Sequence, residues 1–104
     1  MAPHLFTYGS LMFPKVWSAV VGKDFESTTA TIHGFVRRCV KNESYPVLIP
    51  GNAHDCVQGT VYHALDSNTL AHLDAFEGSY YRRAVAPITL EDESSLSAVV
   101  YVLN

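Results

Sequence analysis

Long apolar runs are missing from this chain, and so are runs of like charge. No stretch approaches the ~18 apolar residues that cross a bilayer, so no membrane partner is expected. The basic residues are scattered as the pairs Arg37-Arg38 and Arg82-Arg83 and as single lysines. A nucleic-acid binder clusters them on one face, so no nucleic-acid partner is expected either. Cysteine is scarce: Cys39 and Cys56 are too few for a disulfide framework, and each precedes a valine, which predicts small buried side chains. The five histidines show neither HxH nor HExxH spacing, so no metal is expected. The N-terminal MAPHLFTYGS lacks a basic segment followed by a long apolar one, which removes a secretory signal and makes the cytoplasm the expected compartment.

What is present suits one folded domain spanning 1–104. Of its 104 residues 48% are hydrophobic and 16% charged, a balance that folds rather than stays disordered. Strand patterns dominate. Strands are predicted over His4–Tyr8, Thr28–Val40 with a bulge or bend at Gly34, Val57–His63, Tyr81–Leu90 and Ala98–Leu103. Tyr45–Ile49, bounded by Pro46 and Pro50, reads as an edge strand or an irregular segment. Helical spacing covers Phe13–Val21, with Pro14 early. A second helix is capped by Asp66 or Ser67, carries Leu70, Leu73 and Phe76 on one face, and ends at Gly78. The acidic Glu91–Ser95 reads as a solvated hairpin tip. Five to six strands with two short helices predict a small mixed α+β domain, a strongly curved sheet or open barrel.

Two stretches carry candidate chemistry. In Tyr8-Gly9-Ser10-Leu11 a strand runs into a helix, and successive backbone amides there form an anion nest suited to a carboxylate. Gly9 permits close approach and an unusual φ. Without a second glycine or a lysine the turn is neither a phosphate loop nor a dinucleotide fingerprint, and a simple strand-to-helix turn is the competing reading. The second stretch is Leu73 to Arg83, LDAFEGSYYRR. Glu77 stands at a helix C-terminus, where the dipole disfavours negative charge, and Phe76, Tyr80 and Tyr81 are placed to desolvate it. Both effects raise a carboxylate pKa toward that of a general base. An adjacent Arg82 or Arg83 would oppose the rise, and an exposed glutamate beside arginines is the alternative. Asp74 competes for the role, but its place predicts a solvent-facing side chain.

Together the two stretches resemble the γ-glutamylcyclotransferase-like superfamily, which includes γ-glutamylamine cyclotransferases and the avirulence-induced plant proteins. The resemblance spans nearly the whole chain: YGSL at the start, Gly34, the G-T-V-Y of Gly59–Tyr62, the FEG segment and the closing V-V-Y-V. It implies a barrel-like sheet with flanking helices and no cofactor. It implies that the amides of Gly9, Ser10 and Leu11 hold a substrate α-carboxylate, that Tyr8 lines the pocket, and that Glu77 is the catalytic base. Tyr80 or Tyr81 is implied as a pocket tyrosine, the doubled tyrosine leaving the register open. The implied reaction turns a small γ-glutamyl amine or peptide into 5-oxoproline and a free amine. Family members usually continue past the final strand, so a C-terminal tail contributing pocket wall is a further expectation. A non-catalytic carboxylate-binding module is the second reading. A hydrolase with Ser10 as nucleophile is the third, weakened by the absence of a G-x-S-x-G elbow.

Overall fold

A computed structural model describes residues 3–39 and 46–103, with the backbone alone at Cys39. Along the chain lie β1 (Leu5–Thr7), a 3₁₀ turn (Ser10–Met12), α1 (Pro14–Val21), β2 (Ser27–His33), β3 (Phe35–Cys39), β4 (Pro46–Pro50), β5 (Cys56–Tyr62), α2 (Ser67–Glu77), β6 (Tyr81–Leu90) and β7 (Ser95–Leu103). Five strands close into a barrel in the order β1-β5-β2-β6-β7, while β3 and β4 form a separate two-stranded sheet. Closure comes from a parallel contact between Leu5 of β1 and Val99 of β7; the other barrel pairings are antiparallel.

The α+β barrel-like class expected from the pattern is the class observed, with two differences in detail. The barrel is closed rather than open. The predicted strand over Thr28–Val40 is two strands, because the chain turns out of the barrel at Gly34, whose φ of +84° glycine adopts without steric penalty. Tyr45–Ile49 is a true strand from Pro46 onward, paired with β3. Val40 and Tyr45, the ends of those two predicted strands, lie outside the described residues. The acidic stretch is the exposed β6–β7 hairpin tip, as its composition predicts.

Side-chain alternation splits the apolar residues between two cores. Phe6, Ile32, Val57, Val61, Ile88, Val100 and Val102 fill the barrel. Leu5, Tyr62, Val99 and Tyr101 point outward and meet Leu11, Trp17, Leu65, Leu70 and Leu73 of the helical layer. There Trp17 stacks flat on Tyr62 at 3.6 Å between ring centroids, and the Tyr62 hydroxyl donates to the Leu11 carbonyl at 2.8 Å. Gly59 is required where β5 crosses β1: a Cβ at that position would sit 2.1 Å from the Thr7 carbonyl oxygen. Two burial expectations fail. Cys56 is exposed, since its neighbour Val57 points into the barrel and alternation sends Cys56 outward. The side chain of Cys39 lies outside the described residues. Phe76, grouped by helical spacing with the buried Leu70 and Leu73, is 49% exposed because α2 reaches past the core in its last turn. No helix among the described residues is long and apolar enough to cross a membrane.

Candidate active site

A cavity of about 350 Å³ opens beside the mouth of β1. Every residue assigned to the site by the resemblance reaches it: Tyr8, Gly9, Ser10 and Leu11 from the first strand-to-helix turn, Glu77 from the end of α2, and Tyr80 and Tyr81 from the start of β6. Two segments some seventy residues apart in sequence thus share one wall, because β1 and β7 are neighbours in the barrel and α2 packs through Leu70 and Leu73 against the outward face of both.

The turn side is built by its backbone. Met12 N–H donates to Gly9 O and Phe13 N–H to Ser10 O, both at 3.0 Å, so the amides of Ser10 and Leu11 find no acceptor within the turn. Gly9 does not owe its place to an unusual φ, as the sequence suggested: its φ is -123°. Close approach is what selects glycine, since a Cβ there would meet Pro46 Cγ at 3.0 Å. Beneath the turn, buried Tyr8 donates its hydroxyl to the Tyr101 carbonyl. Burial first, then the neighbouring Tyr81 and Glu77, hold the Tyr8 phenol above the usual tyrosine range, so it stays a neutral donor.

The helix side supplies the titratable group. Asp66 caps α2 by accepting from Thr69 N–H at 2.6 Å, and Gly78 ends it by donating to Asp74 O at 3.0 Å. Glu77, the last helical residue, is half-buried, and burial pushes its carboxyl up to about 7. The arginines do not oppose that rise. Arg83 turns instead to Asp74, donating from Nε at 2.9 Å and from Nη2 to the second carboxylate oxygen. Asp74, exposed as expected, lies outside the cavity lining and is held below the usual carboxylate range, chiefly by Arg83. Tyr80 and Tyr81 both reach the cavity: Tyr81 donates to the Pro46 carbonyl at 2.9 Å, and Tyr80, 65% exposed, stands at the rim.

The sequence did not single out Phe6, Thr7, Pro46 or Tyr101 as cavity residues, while Phe76, expected beside Glu77, lines the cavity with it. For Tyr101 a signal existed, a lone tyrosine in an otherwise aliphatic closing strand. Pro46 had none, because only the packing of the second sheet brings it to Gly9. No histidine is among the described lining residues, which removes the base that a Ser10 nucleophile needs.

The chain belongs to the gamma-glutamyl cyclotransferase, AIG2-like family, whose model matches residues 5–104. It is similar to AIG2-like protein A of Arabidopsis thaliana, with 35% identity over 92% of this chain and 58% of that protein. A solution structure of an Arabidopsis thaliana protein shares 32% identity and a TM-score of 0.85 over 97% of this chain and 68% of that one. A structure described as gamma-glutamyl cyclotransferase superposes with a TM-score of 0.86 over all of this chain and 68% of the other; at 14% identity that likeness shows the fold alone. The chain spans between half and three-fifths of the length of the curated relatives it matches.

Proposed function

We propose that this chain is a γ-glutamyl cyclotransferase domain that converts a small γ-glutamyl amine or peptide into 5-oxoproline and a released amine. The observation that carries the reading is the shared cavity: a carboxyl poised near 7 and a turn whose Ser10 and Leu11 amides have no acceptor within the turn line one space the size of a small substrate. A glutamyl α-carboxylate on the amides of Ser10 and Leu11 brings the neighbouring α-ammonium within reach of Glu77. Tyr8, Tyr80 and Tyr81 wall the chain between the two ends.

Ionised Glu77 removes a proton from the α-ammonium. The freed nitrogen attacks the γ-carbonyl carbon of the same molecule, a new C–N bond closes the five-membered lactam, and the bond to the departing nitrogen breaks. One of the original ammonium protons stays on the lactam nitrogen and the others leave with the amine, so Glu77 ends ionised as it began. Nucleophile and electrophile belong to one molecule, so holding the chain folded removes much of the barrier. A carboxyl titrating near 7 both accepts and returns a proton at neutral pH with little penalty in either direction. The protein is expected in the cytoplasm.

Incubation with a panel of γ-glutamyl amines and dipeptides, followed by quantification of 5-oxoproline, tests the reading. Stoichiometric release of 5-oxoproline and amine from at least one compound is expected. Saturable binding of the panel with no release from any member replaces the enzyme reading with a carboxylate-binding module.

A further inference from the structure

Asp74 and Glu77 stand one turn apart on α2, a spacing that puts side chains within about 5–6 Å at their Cβ atoms. Two carboxylates that close repel each other, and the more weakly acidic one is driven to hold its proton. The structure surrounds Asp74 with donors. Its Oδ1 accepts from Arg83 Nε at 2.9 Å and from the Tyr101 hydroxyl at 2.7 Å, and its Oδ2 accepts from Arg83 Nη2. Tyr101 lines the cavity, and its backbone carbonyl takes the Tyr8 hydroxyl. One residue of β7 therefore ties the helix that carries Glu77 to the strand that leads into the amide turn.

We propose that the Asp74–Arg83 ion pair, seated by Tyr101, is a positioning and charge-cancelling element for Glu77: Arg83 neutralises the neighbouring carboxylate, so that Glu77 ionises at neutral pH. The inference rests on the reading of Glu77 as the base. It adds two residues that do not touch the cavity, Asp74 and Arg83, to the machinery that sets the base's working range. Among the described residues, the other titratable groups lining the cavity with Glu77 are the phenols of Tyr8, of Tyr80 and Tyr81 at the start of β6, and of Tyr101 on β7. Arg37 of β3 acts on the adjacent Tyr8. The Tyr101 hydroxyl touches the ion pair through Asp74; Asn keeps an acceptor for it, so the pair's two halves can be read separately.

The two single substitutions have opposite expected signs. Asp74→Asn keeps the shape and the acceptor for Tyr101 but leaves Arg83 as an unbalanced cation, so the Glu77 midpoint moves down. Arg83→Met leaves Asp74 as an unbalanced anion, so the midpoint moves up. Each shift is roughly half a pH unit, since a unit charge at that separation near the surface is well screened. The double variant returns close to wild type, Arg83→Lys restores most of the charge balance, and 0.5 M salt shrinks both single shifts.

The measurement is a ¹³C NMR titration of the glutamate carboxyls in the full chain, with the Glu77 signal assigned by its loss in Glu77→Gln. It needs no substrate, so its failure is distinct from absence of turnover. Opposite shifts in the two singles, cancelling in the double, establish the element. Midpoints that stay put, or that move the same way in both singles, overturn it and leave the pair a plain structural contact. If Arg83→Met does not fold, Arg83→Gln removes the same cation and is read by the same rule.

Discussion

The last turns of α2 present two carboxylates to two different surroundings. Asp74 faces Arg83 and the Tyr101 hydroxyl at the surface and is held acidic. Glu77, three residues on, faces a cavity walled by aromatic rings and a backbone turn, and is pushed up to about 7. Residue type, helix and backbone conformation are nearly the same. What differs is how many donors each carboxylate meets and how much water it keeps. The acid–base character of a side chain here belongs to the space it enters, and a shift of one helical turn separates a structural ion from a candidate base.

The largest expected effect breaks that contrast from the cavity side. Glu77→Gln preserves shape and hydrogen-bonding capacity but accepts no proton at neutral pH, so 5-oxoproline release falls by ~10²–10⁴. Thermal unfolding at pH 5 stays close to wild type. Retention of most of the rate moves the search to another base.

Gly9→Val attacks the partner of Glu77 rather than Glu77 itself. Its Cβ would lie 3.0 Å from Pro46 Cγ, so the turn or β4 shifts and carries the Ser10 and Leu11 amides with it. Misplacement on the scale of an ångström lowers kcat/KM by up to ~10². Titration with a γ-glutamyl ligand by calorimetry reports the loss, and unchanged affinity removes the turn from the site.

The pH dependence of stability sharpens the contrast, since the two carboxylates contribute with opposite sign. Glu77 has its folded value, about 7, above its ordinary 4.5, so its contribution is fully present below pH 4.5 and is lost as pH rises through 7. The loss amounts to about 2–3 kcal/mol between pH 4.5 and 8. Asp74, held low, contributes above the ordinary carboxylate range and loses that contribution in acid. Urea unfolding at pH 5 and pH 8 checks this. Glu77→Gln is expected to match wild type at pH 5 and to exceed it at pH 8. Equal stability of the two proteins at both pH values removes the burial penalty assigned to Glu77.

The smallest effect comes from Tyr101→Phe, which deletes the donor to Asp74 and leaves the carbonyl that holds Tyr8. One partly exposed hydrogen bond to a carboxylate is worth about 1 kcal/mol. Denaturant unfolding is expected to show a loss of that order with the Tyr8 contact intact. A loss several times larger means that Tyr101 anchors more of α2 than this single bond.

The amino-acid sequence by itself determined most of the elements and pointed to the two stretches that line one cavity. Strand alternation, Pro14 near the start of α1, the Asp66 cap and the Gly78 stop are local signals, carried by residues within a few positions of one another, and they survive in the structure. Tyr8 to Leu11 and the segment ending in Glu77 are contiguous stretches and could be picked out, but it was their joint resemblance to a known family, rather than the local chemistry of either, that set them together as a candidate site. Tertiary structure alone decided the rest. Barrel closure through Leu5 and Val99, the departure of β3 and β4 into a second sheet, and the arrival of Pro46 at Gly9 depend on partners far apart in sequence. The choice of Arg83 for Asp74 rather than Glu77 belongs with them. From the sequence, Glu77 stands nearer to both arginines than Asp74 does, yet Arg83 pairs with Asp74. Only the packing of α2 against β6 and β7 determines which one loses water and which one gains a cation, and desolvation and charge pairing act over ångströms in space, whatever the spacing along the chain.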